Sequence, residues 1–395
     1  MKHYVILGAG LGSPEFLTGR AAETIRRADH VLTTERIAHG LSGLRADIEV
    51  LPFSQLGARA EQCEGTTAVL VSGDTGFFSA ASALYERLSQ TAPTELVCGI
   101  GSMQAFCAAI GERYDDVFWL SVHGRSAHSL LGAVSYHKKV FALTGGAFGT
   151  QEVCRLMCKN GLGQLRVVIG EQLGAQDERI LRGTAAELAQ MPTDSLAVMM
   201  IYNDNPADAY RPLRDEDFVR AKVPMTKQEV RWLVRDLLAV RPEDVVYDIG
   251  AGTGSCTMEL ARCANLGAVY AVECKPEAVQ LIRENREKTK NFHVSVIEAT
   301  APDGLSELPP PDCVFIGGSR GNLAEIVAAC VEKNPKVRMV ITAIALETLA
   351  QAQQAMADFC EVSITCVNIS RAKTVGNYHM MTANNPVWVI GGRHE

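Results

Sequence analysis

The sequence predicts an α/β protein made of two units in tandem, and three observations predict it. Short apolar runs alternate with helical patterns along both halves of the chain. A polar, proline-marked stretch separates the halves, and beyond it an apolar strand breaks into a Gly-x-Gly-x-Gly turn that opens onto a helix. At 395 residues the chain is too long for one ordinary core, and a hydrophobic content of 47% supports well-buried units.

In the first half, apolar runs at residues 4–7, 68–71, 96–98, 140–143, 167–169 and 196–201 read as strands between helical segments. Asn203, Pro206, Pro212 and Pro224 then mark a break, and residues 206–223 read as a linker. Thr226 and Glu229 have the spacing of a capping box. The helix they open carries Val230, Leu233, Val234, Leu237 and Leu238 on one face and ends before Pro242. Strands follow at 245–249, 268–272, 294–297, 313–316, 337–341, 362–369 and 387–390. This is the pattern of a doubly wound sheet whose last two strands can pair as an antiparallel hairpin.

Ligands of such sheets bind beyond the carboxyl ends of the strands. Four strands in a row end in glycine-rich or polar loops there: 250–254, Glu273, 298–302 and 317–320. Together they outline one crevice. In the first loop, Gly250, Ala251, Gly252, Thr253 and Gly254 allow a ligand close to the backbone, because glycine reaches unusual dihedrals and carries no β-carbon. Helix-start amides then face the ligand. Glu273 offers a carboxylate to both hydroxyls of a ribose. A dinucleotide site would need its third glycine one residue later, where Ser255 stands. The plain alternative is a turn that only links strand to helix.

The formal charge of −7 gives no global attraction for nucleic acid. The 12 cysteines contain no C-x-x-C pair and no matching histidine spacing, so neither a metal site nor a disulfide framework is expected. No stretch approaches the roughly 20 apolar residues that span a bilayer, and the apolar run after Met1-Lys2-His3 is too short for a secretion signal. A cytoplasmic setting with reduced thiols is expected.

From Pro224 to Gly392 the chain resembles the decarboxylating precorrin methyltransferases of cobalamin biosynthesis. The resemblance is carried by Pro224-Met225-Thr226-Lys227-Gln228-Glu229, by 248–255, by Val314-Phe315-Ile316-Gly317-Gly318-Ser319 and by Tyr378-His379-Met380. It implies a Rossmann-like class I methyltransferase domain over 224–395 that binds S-adenosylmethionine (SAM) through Thr226, the backbone from Gly250 to Gly254, Glu273 and Ala301. Family members commonly read Gly-Asp-Ala-Pro after the third strand, whereas this chain has Ala299-Thr300-Ala301-Pro302. The adenine contact of that aspartate falls to Thr300 or is lost.

The first half resembles the tetrapyrrole methylases that act on carbon 5 of late precorrins. Gly8-Ala9-Gly10-Leu11-Gly12, Ser72-Gly73-Asp74-Thr75-Gly76-Phe77-Phe78, Gly99-Ile100-Gly101-Ser102-Met103 and Val122-His123-Gly124-Arg125 carry this resemblance. It implies two α/β subdomains, about 1–112 and 113–205, with SAM contacts at Gly73, Asp74, Ser102 and Met103. Leu11 and Ser13 replace a proline and an aspartate of the usual pattern, which gives His123 and Arg125 more weight in handling the tetrapyrrole.

No Asp or Glu occurs from Val117 to Gln151, nor from Val362 to His394, while both stretches hold basic residues. Such stretches are candidate anion sites, and precorrins are rich in carboxylates. The chemistry implied is methylation of carbons 5 and 15, with loss of the carbon-12 acetate as carbon dioxide, using one SAM site in each half. Arg371, Lys373 and His379 are the candidates for orienting carboxylates, with Arg125 and His123 in the first half; solvated surface is their bland alternative. Rival readings are a methyltransferase for another acceptor such as RNA, or one half serving as a non-catalytic SAM-binding scaffold. Related domains assemble as dimers and tetramers, so a homo-oligomer is expected, with no nucleic acid or membrane partner.

Overall fold

The computed structural model describes residues 1–122, 128–146 and 148–394. The chain forms one compact unit of Met1–Gly124, Lys139–Arg155 and Gln164–Tyr202, and a second of Arg125–Lys138, Leu156–Gly163 and Asn203–Glu395. The candidates His123 and Arg125 lie outside the described residues.

The first unit holds two five-stranded sheets. β1 (His3–Gly8), β2 (His30–Thr33), β3 (Glu49–Val50), β4 (Thr66–Val71) and β5 (Thr94–Val97) form an all-parallel sheet in the order β3-β2-β4-β1-β5. β1 and β4 are buried along nearly their whole length, as central parallel strands must be when both faces are covered, so each reads as an unbroken apolar run. β6 (Phe118–Ser121), β7 (Lys139–Leu143), β8 (Arg166–Glu171), β9 (Arg179–Thr184) and β10 (Ala197–Tyr202) form a mixed sheet in the order β6-β7-β10-β8-β9. The helix Ser102–Ile110 packs Met103, Phe106 and Cys107 against Phe141, Val168 and Met200 of this second sheet.

The second unit is built on seven strands. β11 (Val245–Ile249), β12 (Ala268–Glu273), β13 (Val294–Glu298), β14 (Cys313–Ile316), β15 (Arg338–Ala343), β16 (Cys360–Val367) and β19 (Val387–Arg393) run in the order β13-β12-β11-β14-β15-β19-β16. The first five are parallel, and β19 is antiparallel to both its neighbours. The sequence reversal beside β11 puts the switch point of the sheet at its first strand, where ligands of such sheets bind. A separate hairpin, β17 (Ser370–Val375) and β18 (Tyr378–Ala383), interrupts the expected pairing of the last two strands, so β16 and β19 are partners without being consecutive.

The helix His128–Tyr136 belongs to this second unit, and Leu130 through Tyr136 are all buried in it. Asn203 Nδ2 donates to the carbonyl of Val134 at 2.8 Å, and the Tyr136 hydroxyl donates to Asn291 Oδ1. The segment 206–223 is also packed: Leu213 and Phe218 are 4% and 6% exposed and join the core of Val230, Val234 and Leu238.

The capping box expected at Thr226 does not form. The helix Gln228–Leu238 starts two residues after Thr226, with Lys227 as its N-cap and no local side-chain cap. Asp215 supplies the cap from a distance, accepting the Gln228 N–H at 3.0 Å while Gln228 Oε1 accepts the Asp215 N–H at 3.2 Å. Glu229 is drawn instead to Arg371. The ion-paired carboxylate of Asp215 is a stronger acceptor for a helix-start amide than a neutral threonine hydroxyl.

Candidate active site

β11 ends at Ile249, and the chain then turns through Gly250, Gly252 and Gly254 at φ of +71°, +57° and +75°, where side chains are strained. At Gly250 space forbids one as well, since a β-carbon would lie 2.4 Å from the Gly318 carbonyl oxygen. The turns after β11 and β14 therefore meet backbone to backbone. Gly254 caps the helix Ser255–Cys263 and faces Ile282 instead of the crevice.

Glu273, the last residue of β12, is 8% exposed. Its Oε2 accepts the Gly252 N–H at 2.9 Å, and its Oε1 accepts the N–H groups of Cys274 at 2.9 Å and Lys275 at 3.0 Å. The carboxylate thus braces the glycine turn at the wall of the crevice. Beneath the turn, Asp248 is fully buried and its Oδ2 accepts from the Thr257 hydroxyl. Desolvation pushes its carboxyl up to about 7, against the hydrogen bond from Thr257.

These elements surround a cavity of about 900 Å³. Thr226, Gly250, Ala251, Gly252, Thr253, Glu273 and Ala301 all line it; of the SAM candidates in this unit only Gly254 does not. Thr253 Oγ1 is buried at the wall without a hydrogen-bond partner among the described residues. The glycine cradle and the carboxylate at the end of β12 fit a nucleoside with a charged tail.

The charge of the lining is informative. Glu273 is its one acidic residue, with both oxygens engaged by backbone amides, whereas Lys227, Lys275 and Arg320 supply three cations that make no ion pair among the described residues. None of the three stands out in the sequence, although Arg320 sits inside a loop predicted to border the crevice. The cations that the sequence favours lie elsewhere. Arg371 donates to Glu229 at 2.7 Å and to Asp215 at 3.0 Å, and the latter also pairs with the buried Arg231 at 2.8 Å. Lys373 and His379 are exposed on β17 and β18, and neither they nor Arg371 line the cavity.

In the first unit, Gly10 and Gly73 exchange backbone hydrogen bonds of 3.2 and 2.8 Å. Asp74 ties the neighbouring loops together, its Oδ1 accepting the Gly76 N–H at 2.7 Å and its Oδ2 the Gly99 N–H at 3.0 Å. The ends of β1, β4 and β5 converge in this way, and Ser102 opens the helix that follows. Met103 turns its side chain into the core and leaves only its backbone to the loops. Leu11 packs near Gly174, where a β-carbon would lie 2.9 Å from Leu11 Cδ1. Ser13 Oγ is buried without a partner among the described residues.

No helix among the described residues is long and apolar enough to cross a membrane.

Comparison with known proteins accounts for nearly all of the chain. Residues 4–189 match the tetrapyrrole (corrin/porphyrin) methylases, and residues 217–391 match the precorrin methyltransferase domain. A probable cobalt-precorrin-6B C(15)-methyltransferase (decarboxylating) of Pyrobaculum calidifontis is 38% identical over 180 residues, which is 45% of this chain and 92% of the relative. The cobalt-precorrin-6B C(15)-methyltransferase (decarboxylating) of Salmonella typhimurium is 34% identical over 187 residues, 46% of this chain and 96% of that one. A precorrin-6Y C(5,15)-methyltransferase [decarboxylating] of a Sinorhizobium species aligns over both halves, 29% identical across 269 residues, 67% of this chain and 64% of the relative.

Proposed function

We infer the activity from one fact: the chain belongs to the precorrin methyltransferase family, with a tetrapyrrole methylase joined ahead of that domain. It is a SAM-dependent C-methyltransferase of cobalamin biosynthesis that methylates a late precorrin at carbons 5 and 15 and removes the carbon-12 acetate carboxyl. The observation that carries this reading in the second unit is one cavity in which the glycine turn, Glu273, Ala301 and three cations with no ion pair among the described residues converge.

The bound donor supplies an activated methyl on a sulfonium. The residues of the chain have then to hold a ring carbon in line with it and keep water away, and positioning of this kind is worth roughly 7 to 11 kcal/mol of barrier. Glu273 and the backbone of Gly250 to Gly254 would fix the nucleoside, with Thr226 and Thr253 beside them. On decarboxylation the bond from the acetate methylene to its carboxyl breaks, the electron pair passes into the protonated macrocycle, and carbon dioxide leaves.

Several finer points belong to the same proposal. Each half holds its own SAM, the first through Gly73, Asp74, Ser102 and Met103. Lys373 and His379 orient substrate carboxylates from the hairpin; Arg371 would have to exchange Glu229 and Asp215 for a substrate to join them. The protein works in the cytoplasm and assembles as a homo-oligomer. Support for assembly comes from the hairpin, which leaves Tyr378, Met380 and Met381 exposed at 77%, 58% and 66%, an apolar surface of the kind copies of a chain cover in one another.

Incubation of the protein with SAM and precorrin-6Y tests the reading, with methyl and carboxyl counts by mass spectrometry. The expected product has gained two methyls and lost one carboxyl. Methylation without release of carbon dioxide would remove the decarboxylase assignment.

A further inference from the structure

Arg320 hangs over the mouth of the cavity from the loop after β14, and its surroundings leave it uncommitted. Its guanidinium Nη1 lies 3.1 Å from Cys274 Sγ, beyond the end of β12. Among the described residues no carboxylate pairs with it, in contrast to Arg371, which holds two. Thiol sulfur is a weak acceptor, so this contact yields readily to an anion.

The backbone beneath it is unusual. Arg320 sits at φ +52°, in the left-handed region where a β-carbon is strained, and Gly321 follows at φ +96°. A glycine at 320 would relieve that strain, and neighbouring glycines show that the loop accommodates them. An arginine at such a position costs stability, which points to use of its side chain. Close by, the loop after β15 brings Ile344 to the same cavity at 67% exposure, and Leu346 follows at 69%. A forked cation and an exposed apolar residue lining one cavity match a flat macrocycle with carboxylates on its rim.

We propose that Arg320 binds a peripheral carboxylate of the macrocycle that survives the reaction, and so determines which ring carbon faces the methyl donor. This rests on the activity inferred above. The carboxylate held is not the one lost: decarboxylation draws an electron pair out of the carboxylate into the ring, and a bidentate guanidinium would hold that charge in place. Lys227 and Lys275 line the cavity as point charges and lack the fork that would set the orientation of the ring.

The test uses the full chain with SAM and precorrin-6Y, and reads carbon dioxide release, which reports on the second unit. Arg320→Gly is expected to keep or raise the melting temperature and to leave SAM affinity unchanged by calorimetry, while KM for the macrocycle rises at least tenfold. Arg320→Lys should recover part of the loss, and a methyl-esterified macrocycle should bind wild type and Arg320→Gly equally. An active wild type with unchanged KM in Arg320→Gly overturns the proposal alone. So does a glycine variant that melts earlier or loses SAM, since Arg320 would then be structural. A wild type inert toward precorrin-6Y overturns the underlying activity and this role with it.

Discussion

Glu273 Oε2 accepts the Gly252 N–H at 2.9 Å, so the carboxylate at the end of β12 fixes the shape of the glycine turn at the end of β11. In the function proposed above the same group also holds the ribose of the donor, as both brace and ligand. Glu273→Ala is therefore expected to weaken SAM binding at this site at least tenfold, about 1.4 kcal/mol. Glu273→Gln, which keeps one carbonyl acceptor, should lose less. Two-site calorimetry on the full chain measures both, and an unchanged isotherm for the alanine variant removes Glu273 from the site.

Asp248 and His293 should shape the dependence of stability on pH in opposite senses. Burial pushes the Asp248 carboxyl up to about 7 from 3.8, so the folded state binds its proton more tightly than the unfolded chain. Its contribution is present below the ordinary carboxylate range and is lost as pH rises toward 7. Burial lowers His293 to about 4 from 6.5, although its ring Nε2 lies 2.9 Å from the Ala261 carbonyl. That contribution is present above 6.5 and is lost as pH falls toward 4. Each slope is bounded by about 1.4 kcal/mol per pH unit. Urea unfolding of wild type and Asp248→Asn across this range should show the variant gaining on wild type as pH rises, and losing stability more steeply in acid. A constant difference between the two would show that Asp248 does not titrate in this window.

Asp215 joins two arginines of unequal burial, and truncation should separate them. Burial would raise its carboxyl, yet hydrogen bonds from Arg231 and Arg371 outweigh that and hold it below the usual range. The Arg231 side chain is 0% exposed, so Asp215→Ala strands a buried charge and is expected to cost about 3 to 5 kcal/mol. Arg371 is 37% exposed, and Arg371→Ala should cost about 1 kcal/mol or less. Chemical denaturation gives both numbers. A KM increase in Arg371→Ala out of proportion to its small loss of stability would support its role toward substrate carboxylates; unchanged KM would leave it as an anchor for the hairpin.

Strands buried on both faces were legible in the sequence, as were the more exposed β5 and β16. β1, β4, β10, β11, β12 and β14 read as unbroken apolar runs because helices or loops cover both sides. β9, with the sequence Arg-Ile-Leu-Arg-Gly-Thr, is an edge strand whose arginines hide it, and β2 and β3 are too short to establish a period. β17 and β18 are exposed on both faces, so no alternation marks them, and Arg371, Lys373 and His379 read as a loop beside the crevice. The donor side of the site was legible because a glycine turn and a strand-end carboxylate are local features. Its cations were less so: Lys227, Lys275 and Arg320 come from three separate segments, of which only the loop of Arg320 was expected at the crevice, and the fold brings them to one cavity.

Thr300 stands where the resemblance implies an aspartate, and the structure places it on the wall of the cavity. Ala299, Thr300 and Ala301 all line the cavity, the Ala299 N–H donates to the Glu273 carbonyl at 3.1 Å, and Asn322 Nδ2 donates to the Ala301 carbonyl at 3.1 Å. The loop is thus held on both sides of residue 300, so a substituted side chain should take up the same direction as the threonine. A charge-assisted hydrogen bond to the adenine amine is worth about 1.5 to 3 kcal/mol. Repulsion from the nearby Glu273 carboxylate and desolvation of the new one act against it. The net expected for Thr300→Asp is a gain of about 1 kcal/mol, or roughly fivefold tighter SAM binding at this site. Thr300→Val, which removes the hydroxyl at similar volume, should weaken binding if that hydroxyl has taken over the contact. Calorimetry on the two variants separates the cases: weaker binding in the aspartate variant would mean that the adenine lies away from residue 300, and that this chain holds its donor through the glycine turn and Glu273 without a polar adenine contact from this loop.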